Sequence, residues 1–170
     1  AILGAHLSGL NKICVIDIYD FKIKNSLYYG ANQSFIINKK ITYSKNIEKF
    51  KEKYHTLYDY IIDFSGDNKA IEFALNFAKK NSTLLVLGVM PFNKKLSINT
   101  LKLNYGLKII GSSGGNTKPD SDFHKIIDII NNKKISLKNF FSHSDSLDNI
   151  NKLINEHMSG NVINAKINFE

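Results

Sequence analysis

An aspartate closes a short apolar run, Ile13-Cys14-Val15-Ile16-Asp17. In open parallel sheets, ligands bind beyond the carboxyl ends of the strands, and an acid at the end of the second strand can accept hydrogen bonds from an adenosine ribose. The same charge would repel a ribose 2′-phosphate, so Asp17 favours NAD over NADP. Its competing role is to cap the helix that follows. Lys22 would flank the ribose, or else be an ordinary exposed helix lysine. Three later apolar runs end in small residues: Ser65-Gly66, Gly88-Val89 and Gly111-Ser112-Ser113-Gly114-Gly115. Small residues at strand ends let a flat ligand approach the backbone.

Other chemistry is thinly supplied. The glycine fingerprint that would cradle a pyrophosphate is missing. Upstream of Asp17 only Gly4 and Gly9 occur, within or just after a helical pattern of Ile2, Leu3, Ala5 and Leu7. That arrangement is expected if the chain starts just after the glycine turn. One cysteine, Cys14, permits no intrachain disulfide and fits a reducing, cytoplasmic setting. The five histidines, His6, His55, His124, His143 and His157, lack the spacing of metal ligands. No catalytic residue and no metal ligand is assigned.

The formal charge is +8, which would suit a phosphate backbone if the lysines were clustered. They are scattered among Asn and Ile along the whole chain, and there is no arginine to read a base edge. The charge therefore reads as compositional bias, with no nucleic-acid partner expected. No apolar run approaches the roughly 18 residues of a membrane span, and no membrane partner is expected.

The elements that must position these residues alternate in character. Buried strands are expected at 13–17, 34–37, 60–64, 82–87 and 107–112. Amphipathic helices are expected between them: one from Asp20, one with Ile47, Phe50 and Tyr54 inward, and one burying Ala70, Ile71, Phe73, Ala74, Phe77 and Ala78. A helix over 119–131 should bury Phe123, Ile126, Ile127 and Ile130. Apolar runs alternating with amphipathic helices mark a parallel sheet covered on both faces. The expected fold is α/β: a Rossmann-type doubly wound sheet lacking its first strand and glycine turn, with a short C-terminal α/β tail. The expected division is 1–136 for nucleotide binding and 137–170 for a segment returning to a catalytic domain. The tail should hold a short segment at 140–143, a helix at 147–158 and a strand at 162–169.

In order along the chain, these residues resemble the coenzyme domain of zinc-containing medium-chain alcohol and polyol dehydrogenases. The resemblance is carried by Asp17 with Gly30-Ala31 thirteen positions on, by Tyr58-Asp59-Tyr60-Ile61-Ile62-Asp63-Phe64-Ser65-Gly66, and by Leu85-Val86-Leu87-Gly88-Val89-Met90-Pro91. It continues through Leu107 to Ser112 with Gly114-Gly115, and to Ser159-Gly160 in the tail. It covers nearly the whole chain.

The resemblance implies an NAD-dependent hydride transfer between an alcohol, polyol or sugar phosphate and the cofactor. It implies that zinc and its ligands lie in an N-terminal catalytic region outside this chain, which alone would be inactive. Phe64, Ser65 and Gly66 would border the adenosine and nicotinamide riboses. Leu87, Gly88 and Val89 would lie along the nicotinamide, although Leu87 and Val89 suit ordinary sheet core equally well. Ser112 and Gly114 would complete that end. Asn164 stands where many relatives carry a basic residue on the pyrophosphate. Residues 96–110 would pair subunits of a homodimer or homotetramer. The competing readings are a non-catalytic regulatory module binding NAD or another adenine nucleotide, a zinc-free reductase of the same superfamily, and an adenosyl-methionine transferase.

Overall fold

The computed structural model describes residues 1–169. They form two compact units, 37–117 and a second made of 1–36 with 118–169. Every strand pairing in both is parallel.

In the second unit, α1 (Ile2–Leu7) precedes β1 (Cys14–Asp17), α2 (Asp20–Tyr28) and β2 (Gln33–Ile36). β1 pairs with β2, and α2 crosses over and packs on both strands. Asn32 sets the start of this pair: its side-chain oxygen accepts from Ile13 N at 3.0 Å, and its amide donates to Asn11 O. Ile23, the buried residue of α2, and Phe35 of β2 are at most 8% exposed.

The unit between them contains α3 (Tyr43–Lys53), β3 (Tyr58–Asp63), α4 (Asn68–Leu75), β4 (Ala78–Val86), the short α5 (Leu101–Asn104) and β5 (Lys108–Gly111). Its sheet runs β3-β4-β5. Thr42 caps α3 by accepting from Lys45 N, and Lys51 and Lys53 complement the negative end of the helix dipole. Buried Asn46 is fully used: it accepts from Asn38 N and donates to the carbonyls of Asn38 and Thr42. One apolar cluster joins Ile61, Ile71, Leu75, Leu84 and Leu107. Around Phe50 an aromatic group stacks, with Phe73, Phe77, Tyr54 and Tyr58 at centroid distances from 4.1 to 6.4 Å.

The sequence pattern carried the fourth helix through Phe77 and Ala78, but α4 stops at Leu75. Asn76 is the reason. Its side-chain amide donates to the carbonyls of Glu72 and Phe73, satisfying groups that the next helical turn would otherwise need. Phe77 is still buried, and Ala78 already belongs to β4. Asn81, with φ 61°, accompanies a shift in register between Tyr58 and Tyr60, after which the pairing is regular.

Ser82 of β4 is wholly buried, and among the described residues its hydroxyl has no partner. An unmade buried hydrogen bond is unfavourable in the folded state. The Ser82→Ala variant should therefore unfold at the same temperature as the parent or higher, a gain of up to about 1 kcal/mol. A loss of that size in a thermal melt would show that the hydroxyl is satisfied.

A 3₁₀ turn (Gly114–Asn116) stands near the end of unit 37–117, and the remaining part of the second unit holds α6 (Pro119–Asn132), β6 (His143–Ser146), α7 (Ile150–Met158) and β7 (Ala165–Asn168). β6 pairs with β7, and α7 packs on both. α6 departs from expectation. Pro119 sits in its first turn and Asp122 accepts from Lys118 N, so the helix starts where it was expected to start. Its apolar stripe is not buried: Phe123, Ile126 and Ile127 are 50–57% exposed, and Ile130 is half-buried. Helical periodicity places these residues on one face, but no described element covers that face.

Candidate functional site

Strand register brings the chemistry of unit 37–117 to one edge. Asp63 lies opposite Val86, and Val86 opposite Gly111. The segments 64–66, 87–89 and 112–114 therefore all leave the sheet at the same ends of their strands. Phe64, Ser65 and Val89 are exposed there, while Leu87, Gly88 and Ser112 are half-buried.

The turn after β3 is built on Asp63, which is 8% exposed. One carboxylate oxygen accepts from Ser65 N at 3.0 Å and from the Ser65 hydroxyl at 2.5 Å. The other accepts from Gly66 N at 3.2 Å. The Asp63 carbonyl accepts the N–H groups of both Leu87 and Gly88 at 2.9 Å. Asp67 then caps α4 by accepting from Lys69 N. Gly66 takes φ +63°, and a Cβ there would strike the Val89 carbonyl. A Cβ at Gly88 would meet Gly66 N, with Phe64 C at 2.8 Å. The backbones of 64–66 and 87–89 thus run against each other with no room for a side chain between them.

After β5 the backbone opens into a small loop. The Ser112 hydroxyl accepts from Gly115 N at 2.9 Å, and Gly114 and Gly115 both have positive φ. Nothing lies within 4 Å of a Cβ at Gly114. Farther back, α4 anchors the segment beyond Pro91: Asn68 donates to Lys95 O, and Glu72 accepts from Ser97 N. A hydrogen bond from the Lys69 ammonium holds the Glu72 carboxyl below its ordinary range, and the Ser97 N–H adds to this.

Asp17 lies at the end of β1 in the other unit. One of its oxygens accepts from Ile18 N at 2.7 Å and Tyr19 N at 3.0 Å. The residue in the N-cap position of α2 is Tyr19, with no side-chain cap bond. Asp17 therefore orders the turn ahead of the helix instead of capping it. Among the described residues its second oxygen has no protein donor. Lys22 sits one turn into α2 with its ammonium 4.9 Å from the centroid of the Tyr19 ring and 5.9 Å from that of Phe21. The Tyr19 hydroxyl donates to Ser159 O, and the ring packs where Gly160 has no side chain.

Asp17 thus stands in the turn before α2 and Lys22 against the Tyr19 ring of that turn, while Phe64 to Gly66, Leu87 to Val89, Ser112 and Gly114 come to one sheet edge. Sequence reasoning missed Asp63 and Tyr19 as site residues. Asp63 had a signal: an acid at a strand end followed two and three residues later by Ser-Gly is the pattern of a side-chain-closed turn. Tyr19 had none, because its partner lies 140 residues away. Asn164 donates to Phe140 O, so its amide serves the β6–β7 pair. Among the described residues no group of three His, Cys, Asp or Glu could hold a metal ion, and no helix is long and apolar enough to cross a membrane.

Parallel strands linked by helices, with an acid at one strand end and glycine-lined turns at others, define an α/β domain of the coenzyme-binding Rossmann type. Known proteins agree. A family model described as zinc-binding dehydrogenase matches residues 1–132. The chain belongs to that family. An alcohol dehydrogenase class-3 of Caenorhabditis elegans is 24% identical over 99% of this chain and 45% of its own length. An S-(hydroxymethyl)glutathione dehydrogenase of Komagataella pastoris is 28% identical over 98% of this chain and 44% of its own length. Benzyl alcohol dehydrogenase of Acinetobacter calcoaceticus superposes with a TM-score of 0.85 at 17% identity, covering all of this chain and 46% of that one. The chain spans less than half the length of the curated relatives it matches.

Proposed function

We propose that this chain is the cofactor-binding part of an NAD-dependent, zinc-type dehydrogenase acting on an alcohol, polyol or sugar phosphate. The observation that carries the reading is Asp17. Its carboxylate is held at a strand end by two backbone N–H groups that use only one oxygen, which leaves the other for ribose hydroxyls. Lys22 would stand beside the same ribose. Phe64, Ser65 and Gly66 would border the riboses, Leu87, Gly88 and Val89 the nicotinamide, and Ser112 and Gly114 the far side of that end. The common edge of 64–66, 87–89 and 112–114 supports this assignment.

The strand pairings support the fold side of the reading. In a doubly wound sheet of the Rossmann order, the second strand neighbours the third, and the fourth, fifth and sixth follow in sequence. β1 with β2, and β3-β4-β5, fit those two runs. On this reading 1–136 bind the dinucleotide and 137–170 lead back to a catalytic domain. Zinc, when bound, would act as a Lewis acid on the substrate oxygen. Among the described residues no group of three His, Cys, Asp or Glu would hold it. Residues 96–110 would pair subunits in a cytoplasmic homodimer or homotetramer. In support, β5 is an edge strand, and Leu101, Leu103, Tyr105, Ile109 and Ile110 are all at least 43% exposed.

The test is the Asp17→Ala variant of the full-length protein. Losing charge-assisted hydrogen bonds to the ribose should raise the dissociation constant for NAD about tenfold or more. Removing the repulsion should bring NADP binding closer to that of NAD. Unchanged affinity and unchanged preference, measured by titration with each cofactor, would sink the ribose assignment.

A further inference from the structure

We propose that Asp63 is a positioning residue for the nicotinamide end of the cofactor, because it fixes the turns 64–66 and 87–89 as one rigid backbone surface. The inference rests on the cofactor reading above and deepens it: Asp63 would touch no part of the dinucleotide and would act through its neighbours.

A buried carboxylate is costly unless its lone pairs are met. Among the described residues no cation meets those of Asp63. Its donors are Ser65 N, the Ser65 hydroxyl and Gly66 N, all from the turn that follows it. Its backbone carbonyl takes the first two N–H groups of the neighbouring turn, Leu87 and Gly88. The strand ladder ends with Asp63 opposite Val86; the Leu87 bond completes that last pair, and the Gly88 bond to the same carbonyl carries the contact one residue past it. One residue therefore ties together two of the three chain segments that leave this edge. The result is the close passage of Gly66 against Val89 and of Gly88 against Gly66. A backbone held this tightly presents its remaining polar groups in fixed positions, as recognition of a flat carboxamide would require.

The chemistry is particular to a carboxylate. Both oxygens accept, one serving Ser65 and the other Gly66. An asparagine of the same size would turn an N–H₂ donor toward one of those N–H groups, and the turn would lose a contact without creating a cavity. Asp63→Asn thus separates positioning from bulk.

The experiment compares NADH with ADP-ribose, which lacks the nicotinamide, by titration calorimetry on the full-length protein and its Asp63→Asn variant. The expected result is an NADH dissociation constant raised about tenfold, with that of ADP-ribose, which keeps the ribose contacts of 64–66 but has no nicotinamide to misplace, raised only about threefold. A purely structural role would lower the folded fraction and leave both constants of the folded protein unchanged, or weaken both ligands equally. Either result overturns the proposal. A parent protein that binds neither ligand overturns the cofactor reading itself, which is a different failure. Should Asp63→Asn not fold, Ser65→Ala removes the hydroxyl bond to the carboxylate together with the one that the Ser65 oxygen accepts from Asp67 N. It should give the same split at about threefold for NADH, and equal changes in the two ligands would again refute the role.

Discussion

Replacing Phe50 by alanine should destabilise the 37–117 unit by about 3–5 kcal/mol, the range for truncating a buried aromatic ring. Phe50 is completely buried, and its ring centroid lies 4.1 Å from that of Phe77 and 5.9 Å from that of Phe73. Its ring neighbours come from the residue just after α3, from β3, from α4 and from the turn after α4, so its removal takes the common partner from four stretches of chain. The rings left behind are held by their own backbones and cannot collapse into the space. Part of the loss is therefore the cavity itself, beyond the transfer free energy of the missing atoms. Chemical unfolding followed by circular dichroism checks this. A shift below about 1 kcal/mol would mean that the cluster repacks, and that α3 is not held to α4 through this ring. Phe50→Leu keeps most of the volume and should recover more than half of the loss.

Phe50 was legible in the sequence, where its spacing from Ile47 and Tyr54 already marked an inward face. The same period misled at two other places, for physical reasons. In α4 the apolar spacing continues through Phe77 and Ala78, and both residues do remain at least half-buried. Periodicity reports burial, however, and not which backbone bonds are made. A side-chain amide at Asn76 that takes the carbonyls of Glu72 and Phe73 ends the helix without disturbing the pattern. In α6 the stripe is real, but a stripe says only that a helix has one apolar face and not what covers it. Phe123, Ile126 and Ile127 stay exposed among the described residues.

The site divides in a similar way. Asp17 and the small residues at strand ends could be found, because a carboxylate or a glycine at the end of an apolar run carries its meaning locally. What joins the pieces was hidden. The meeting of 64–66 with 87–89 depends on parallel register between strands separated by a helix, and that register is set by tertiary pairing. The contact of Tyr19 with Ser159 depends on an approach between distant stretches that no local pattern encodes.

The meeting of those two turns sets up the second large effect. Gly66→Ala should destroy NADH binding, raising the dissociation constant about a hundredfold, because two costs coincide at one atom. Gly66 has φ +63°, where a side chain costs roughly 1–2 kcal/mol. Its Cβ would also meet the Val89 carbonyl, with Val89 C at 2.8 Å. That neighbour is backbone and not the free end of a side chain, so the chain itself must move, at a further cost of about 1–3 kcal/mol. The strain can be relieved by displacing 87–89 from 64–66, which the cofactor reading places beneath the nicotinamide, or by breaking the Gly66 N–H bond to Asp63. Each route disorders the proposed binding surface while leaving the apolar cluster of Ile61, Ile71, Leu75, Leu84 and Leu107 in place. The variant should therefore stay folded and lose the ligand. Gly4→Ala is the matched control. Gly4 lies within α1 with nothing within 4 Å of a Cβ, so alanine there should leave binding unchanged and gain about 0.5–1 kcal/mol of helix stability. If Gly66→Ala binds NADH within twofold of the parent and melts at the same temperature, the turns after β3 and β4 do not meet as described, and the nicotinamide end must lie elsewhere.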